Sequence, residues 1–166
     1  MRMQRGLFVA AIFWLFTAGN AFDQSEYDLV QLVSERKRYM FEMQNAFWSL
    51  FDIKNDKSTD LSALPDAAKT IDEKFTRFLA LLPEGTAGGE VPGSRAKPEI
   101  WTEPSRFNAA IEGLRLATLR LVDVASSGNI DDFKVEFEAF HNACFACHDF
   151  KPSGGGTFRF AFGEQP

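Results

Sequence analysis

The chain has only two cysteines, and they stand three residues apart with a histidine directly after the second: Cys144-Phe145-Ala146-Cys147-His148. Both thiols continue an apolar run. Ile130, Phe133, Phe137, Phe140, Cys144 and Cys147 follow a 3-4-3-4-3 spacing, the pattern of one helical face. Whatever the thiols hold therefore lies against the interior of the fold. C-x-x-C-H is the attachment pattern of c-type haem. Thiols at this spacing share a helical face and are placed to add to the two vinyl groups of one porphyrin. His148 sits about one turn beyond Cys144, within reach of the iron as an axial ligand. Three other readings use the same residues. A redox dithiol belongs in a βαβ setting, which this sequence lacks. A zinc site drawing on His141 and His148 would want ligands from a second element. Plain core thiols are the third. Covalent haem is the reading adopted, with one haem c per chain.

An export leader precedes this. Arg2 and Arg5 form a positive n-region, Leu7 to Phe16 an apolar stretch too short for a comfortable membrane span, and Gly19-Asn20-Ala21 a small-x-small cleavage site. Residues 1–21 are expected to be removed; an uncleaved N-terminal anchor is the alternative. Because c-type haem is attached outside the cytoplasm, a periplasmic location is expected. Cleavage takes away two arginines and no acid, moving the net charge from −5 to −7. That balance argues against nucleic acid and anionic membrane as partners. Phenylalanine is heavily used, with 18 in the chain, enough to shield a flat apolar group or to pack an ordinary core.

Three further helices are expected. The first spans about 25–53, with Val33, Arg36, Met40, Met43, Phe47 and Leu50 on one face. Arg36 interrupts this stripe and needs a partner or water. A haem propionate is one candidate; snorkelling from the bundle end is the other. Met40 and Met43 also suit plain core filling. The second helix starts near Pro65, ends near Leu82-Pro83, and carries Ala68, Ile71, Phe75, Phe78 and Leu82. A Gly- and Pro-rich loop over 83–98 then joins helices that cannot be linked tightly, or covers something. Thr102 is expected to cap the third helix, whose seam is Phe107, Ile111, Leu114, Thr118, Leu121 and Ala125. Ser127-Gly128 stops it, and Asn129 caps the fourth, which is expected to end by Lys151-Pro152. Four amphipathic helices with short first and last connections predict an all-α, antiparallel four-helix bundle over 22–152, holding the haem near one end. Residues 153–166 form a Gly- and Phe-rich tail that either docks or stays disordered. His141 lies about 10 Å of helix rise before His148 on nearly the same face. It is read as a core-edge or propionate-side residue, not a ligand on the opposite face.

The chain resembles the cytochrome c′ family. The likeness is carried by Arg36 with Met40 one turn on, by Leu81-Leu82-Pro83-Glu84-Gly85-Thr86, by Lys97-Pro98-Glu99-Ile100-Trp101, and by Cys144 to His148. It implies haem on Cys144 and Cys147, His148 as the axial iron ligand, Arg36 near the propionates and Met40 over the distal face. It also implies a usually five-coordinate, high-spin iron linked to nitric oxide, carbon monoxide and electron transfer, and a homodimer through the first two helices. Phe41, Trp48 and Phe51 flank the first seam and cannot all point inward. A six-coordinate Met/His iron serving electron transfer to an unidentified periplasmic partner is the alternative. A haem enzyme, a peroxidase or nitric oxide reductase, is another, but no dedicated acid–base pair for such chemistry is evident. One departure stands out: the family commonly has arginine four residues after the proximal histidine, where this chain has Pro152, with basic Lys151 beside it.

Overall fold

The computed structural model describes residues 21–148, 155–161 and 163–164. The expected leader, except for Ala21, lies outside the described residues, as do Lys151, Pro152 and Phe162. The chain forms α1 (Ala21–Lys54), a 3₁₀ turn (Leu61–Ala63), α2 (Leu64–Leu79), α3 (Glu99–Thr102), α4 (Pro104–Ser127) and α5 (Ile130–Cys144). Among the described residues there is no strand, only an isolated antiparallel bridge between Ala96 and Arg159. The long helices build a four-helix bundle in which α1 packs chiefly on α2, α4 on α5, and α2 on α4.

Local chemistry fixes most boundaries. The Asn129 side chain accepts hydrogen bonds from the backbone N–H groups of Asp131 and Asp132, satisfying two donors that α5 itself leaves unpaired. Gly128 ends α4 in the left-handed region at φ 75°, where glycine carries no steric cost.

Four boundaries differ from the sequence expectation. α1 starts at Ala21, four residues early. α2 stops at Leu79, where Ala80 caps it and Leu81 closes a short i→i+3 bond to Phe78. Thr102 does not cap the third long helix. It closes α3 instead, its hydroxyl donating to the Pro98 carbonyl at 3.2 Å. The break falls at Glu103, at φ −121° and ψ 57°, because Pro104 lacks an N–H and pushes the residue before it out of the helical region. α5 stops at Cys144, ahead of the expected end at 151–152.

The two ends of the bundle differ. At one end Leu50, Ile53, Leu64, Ala68, Leu121, Ala125 and Phe133 form a continuous buried core. At the other, the α1, α2 and α4 seams, with Leu82 just past α2, present Met40, Met43, Phe78, Leu82, Phe107, Ile111 and Leu114, all half-buried and all lining one cavity. The closed end carries the packing energy. Phe133 and Phe137 are fully buried, with ring centroids 5.9 Å apart, and Phe137 lies 5.3 Å from Phe47 across the α1–α5 contact. Phe133→Ala is expected to cost about 3–5 kcal/mol, measured as a lowered midpoint in urea unfolding.

Candidate functional site

The cavity has a volume of about 870 Å³, within the usual range for cofactor sites. α5 and the turn after it supply Phe140, Cys144, Cys147 and His148; α1 supplies Arg36, Met40, Met43 and Phe47 among others. Every residue singled out from the sequence as a haem contact thus lines one cavity. His141 does not. It sits at the core edge, its ring stacked among Phe47 at 5.2 Å, Phe137 at 6.1 Å and Phe145 at 5.0 Å.

The pentapeptide is wound more tightly than a regular helix. Phe145, Ala146 and Cys147 each donate to the carbonyl three residues back, and the Cys144 carbonyl accepts from both Cys147 at 3.3 Å and His148 at 3.4 Å. In such a turn side chains three apart come nearly into line, which places both thiols on the cavity side. The Cys144 thiol donates to the Phe140 carbonyl at 3.4 Å. Burial pushes the Cys144 thiol up to about 12 and the Cys147 thiol up to about 11. A redox dithiol works through a lowered thiol pKa, so this setting disfavours that reading. Among the described residues no group of three or more His, Cys, Asp or Glu side chains is placed to share a metal ion, so the zinc reading finds no ligand set.

Arg36 is buried, with 6% of its surface exposed, and does not snorkel. Its guanidinium donates to the Thr86 hydroxyl and carbonyl, each at 3.2 Å, and to the Ser94 hydroxyl at 2.7 Å. All three acceptors are neutral, and desolvation lowers its pKa. The Ser94 hydroxyl in turn donates a hydrogen bond to the Thr86 carbonyl at 2.7 Å, so the network is satisfied, and Arg36 still lines the cavity. The loop over 83–98 therefore covers the site. Thr86, Ala87 and Val91 are buried, and Gly93 to Ala96 form part of the cavity wall.

Part of the tail docks over the same end. Phe158 is buried, lies edge-on to Phe107 at 5.1 Å, and lines the cavity. Its N–H donates to the Cys147 carbonyl at 3.0 Å, and its carbonyl accepts from the Lys97 N–H at 3.1 Å. This bond takes the acceptor that a continued helix would have used, and α5 does not run on through the pentapeptide. The sequence reading missed Lys37, Arg95, Arg159 and Phe158 as cavity residues. No spacing rule reveals them, because loop and tail meet only in the fold. The lining carries four cations, Arg36, Lys37, Arg95 and Arg159, and no carboxylate among the described residues, in a chain whose net charge is −5.

A helical bundle with a C-x-x-C-H turn in the wall of its end cavity defines a class, the bundle-type haem proteins. A sequence profile of cytochrome c′ matches residues 31–151, and this chain belongs to the cytochrome c′ family. Its cofactor is accordingly covalently attached haem c. The cytochrome c′ of Alcaligenes xylosoxydans xylosoxydans is 30% identical over 73 residues, which are 44% of this chain and 58% of that protein; the chain spans rather more than half the length of this relative. Among solved structures, cytochrome c′ from Rubrivivax gelatinosus superposes with a TM-score of 0.69 at 20% identity, covering 79% of this chain and 96% of that one. A ferrous variant of Alcaligenes xylosoxidans cytochrome c prime with bound nitric oxide gives 0.65 at 20% identity, covering 76% and 94%. A carbon monoxide-bound variant of the same protein gives 0.65 with the same identity and coverage. At this identity the structures show a shared fold.

The cavity suits the group. Haem is flat and apolar with two carboxylates on one edge, and the cavity offers aromatic walls, two adjacent thiols, an imidazole and four cations, with no carboxylate in the described lining. The His141 ring gives a pH-dependent signature of the surrounding core. Desolvation is the largest influence on it and lowers its pKa, against an opposing pull from Glu138. A lowered histidine pKa means the folded state resists protonation. Stability is therefore full above the unfolded value near 6.5 and falls as pH drops through the lower folded value. His141→Phe is expected to flatten the loss of stability between pH 7 and pH 5, read as the change in urea midpoint.

Proposed function

We propose that this chain is an exported haem protein that binds diatomic gas, nitric oxide or carbon monoxide, at a His148-ligated iron and carries electrons through the same centre, without substrate turnover. One observation carries the reading: Cys144, Cys147, His148, Met40 and Arg36 all line one largely apolar cavity. Cys144 and Cys147 would hold the haem as thioethers, and His148 would supply a nitrogen ligand to its iron. Arg36, already held by Thr86 and Ser94, offers its remaining charge to a propionate, the acid that its neutral partners do not provide. When bound, the haem iron supplies a one-electron couple and a coordination position for a small ligand. Met40 stands on the α1 wall opposite the pentapeptide and, with Phe47, excludes water from that side. An apolar distal wall admits uncharged diatomics and offers them no hydrogen bond. Turnover would call for a general acid or base beside the reacting ligand, and among the described residues the titratable side chains of the lining other than cations are the two thiols and His148.

The leader is proposed to be cut after Ala21 and the protein to work in the periplasm with a redox partner of its own. Intact-mass analysis of exported protein is expected to show the chain from Phe22 plus one haem that survives denaturation. Cys144→Ala with Cys147→Ala should abolish that added mass, and a bare polypeptide from the wild type would sink the reading. Optical spectra then decide the distal side. The expected ferric form is five-coordinate and high-spin, and Met40→Ala should speed carbon monoxide binding to the ferrous form by removing a steric gate. A near-infrared methionine-to-iron band that is lost in Met40→Ala would instead make Met40 a sixth ligand and the protein an electron carrier first.

A homodimer through α1 and α2 is proposed as well. Tyr27, Phe41 and Trp48 are 58%, 60% and 45% exposed and fall at multiples of seven residues along α1, on one stripe. Phe51 contributes less, being half-buried and stacked on Phe47 at 6.0 Å. Light scattering at micromolar concentration should give twice the chain mass, and Phe41→Glu with Trp48→Glu should halve it; a wild-type monomer would reject the interface.

A further inference from the structure

The docked tail places a cation beside the proposed axial ligand. Arg159 Nη1 lies 3.4 Å from His148 Nδ1. The strap holding it there is anchored on both sides. Phe158 bonds to Cys147 and to Lys97, and Phe160 donates to the Arg95 carbonyl at 2.8 Å while its own carbonyl accepts from Arg95 Nε at 2.9 Å. The fit is close enough to require glycine at two points. A Cβ on Gly156 would come within 2.4 Å of His148 Cα and 2.7 Å of the Cys147 carbonyl oxygen, both backbone atoms. A Cβ on Gly88 would come within 2.9 Å of the Phe160 ring. Two glycines far apart in sequence thus seat one strap against the pentapeptide and the loop.

We infer that residues 155–161 are a built-in proximal strap, and that Arg159 is a positioning residue that tunes the iron through the far nitrogen of His148. The inference rests on His148 being the axial ligand. With Nε2 committed to iron, Nδ1 is the only ring nitrogen left to its surroundings. Partners at that nitrogen set how strongly the ring donates to the metal. The neutral ring then keeps its proton on Nδ1, and the guanidinium beside it acts as a partly desolvated positive charge a few ångströms further from the iron. That charge disfavours the more positive ferric state. Arg159 therefore raises the reduction potential and weakens the bond from His148 to iron. Phe158 keeps the contact dry, closing the wall against Phe107.

The test uses the full-length holoprotein. Arg159→Gln is expected to raise the ferric-to-ferrous ratio at a fixed potential by about tenfold, a fall in midpoint of ~59 mV for a one-electron couple. It should also move the iron–histidine stretch, recorded by resonance Raman on the ferrous protein after photolysis of carbon monoxide, to higher frequency. Arg159→Lys should restore part of the potential. Gly156→Val should reproduce both shifts by displacing the strap without touching the charge, and adding Arg159→Gln to it should change neither further. Far-UV circular dichroism checks that each variant keeps its helices. A potential that falls while the stretch stays fixed would place the charge elsewhere on the haem and overturn the assignment. Shifts in Gly156→Val but not in Arg159→Gln would trace the effect to admitted water, with the same consequence. A His148-ligated haem indifferent to every variant refutes the strap alone, whereas a chain with no haem on Cys144 and Cys147 refutes the underlying reading with it.

Discussion

Phe47 of α1 meets Phe137 and Phe140 of α5 in the buried core, and this aromatic contact joins the helix that carries Arg36 to the helix that carries the pentapeptide. Beyond it the two helices are kept apart by the cavity that their own seams line. Interiors are close-packed and transmit displacement, so the aromatic contact acts as a fulcrum fixing how far α1 stands from the pentapeptide turn. That separation sets how much room the cavity has on its α1 side, where Met40 lines it. A core substitution at Phe137 is therefore also a change to the site, even though Phe137 does not line the cavity.

The electrostatics follow the same division. The surface is acidic overall and laced with ordinary exposed pairs such as Arg38 with Glu35 and Arg115 with Glu112, which contribute little. The cavity reverses that sign. Its cations come from three separate places, α1, the loop over 83–98 and the tail, and only folding gathers them. Arg36 is the most constrained because its burial costs most. Thr86 and Ser94 offset that cost in advance and fix the guanidinium before any carboxylate arrives, which limits the entropy lost on binding.

Much of this was legible in the sequence. The four apolar seams, the Asn129 cap and the Gly128 stop are local signals, set by residues within one or two turns, and the structure follows them. The pentapeptide named its cofactor because the chemistry needs both thiols on one face. What was not legible depends on contacts distant along the chain. That Arg36 stays buried and does not snorkel is decided by Thr86 and Ser94, 50 and 58 residues away. The α-helix gives way after Cys144 to the tighter i→i+3 turn of the pentapeptide, and the Cys147 carbonyl goes to Phe158 of the tail, a partner that periodicity cannot see. The Thr102 boundary is a different case. The determinant, Pro104, was in view, but its hold over Glu103 outweighed the better capping residue one place earlier.

The seating of Gly156 on the backbone of Cys147 and His148 also imposes an order of assembly. A strap that lies against the turn, with its own N–H on the Cys147 carbonyl, leaves little room for another macromolecule to grip that turn. The strap also leaves the ribosome after the pentapeptide that it covers. The thiols are therefore most open to enzymes that join haem to them while residues 155–161 are still undocked. Closure of the tail then becomes the final step of maturation, sealing a bond already made, and a bulky fusion at the C-terminus would act first on the yield of holoprotein rather than on its properties once formed.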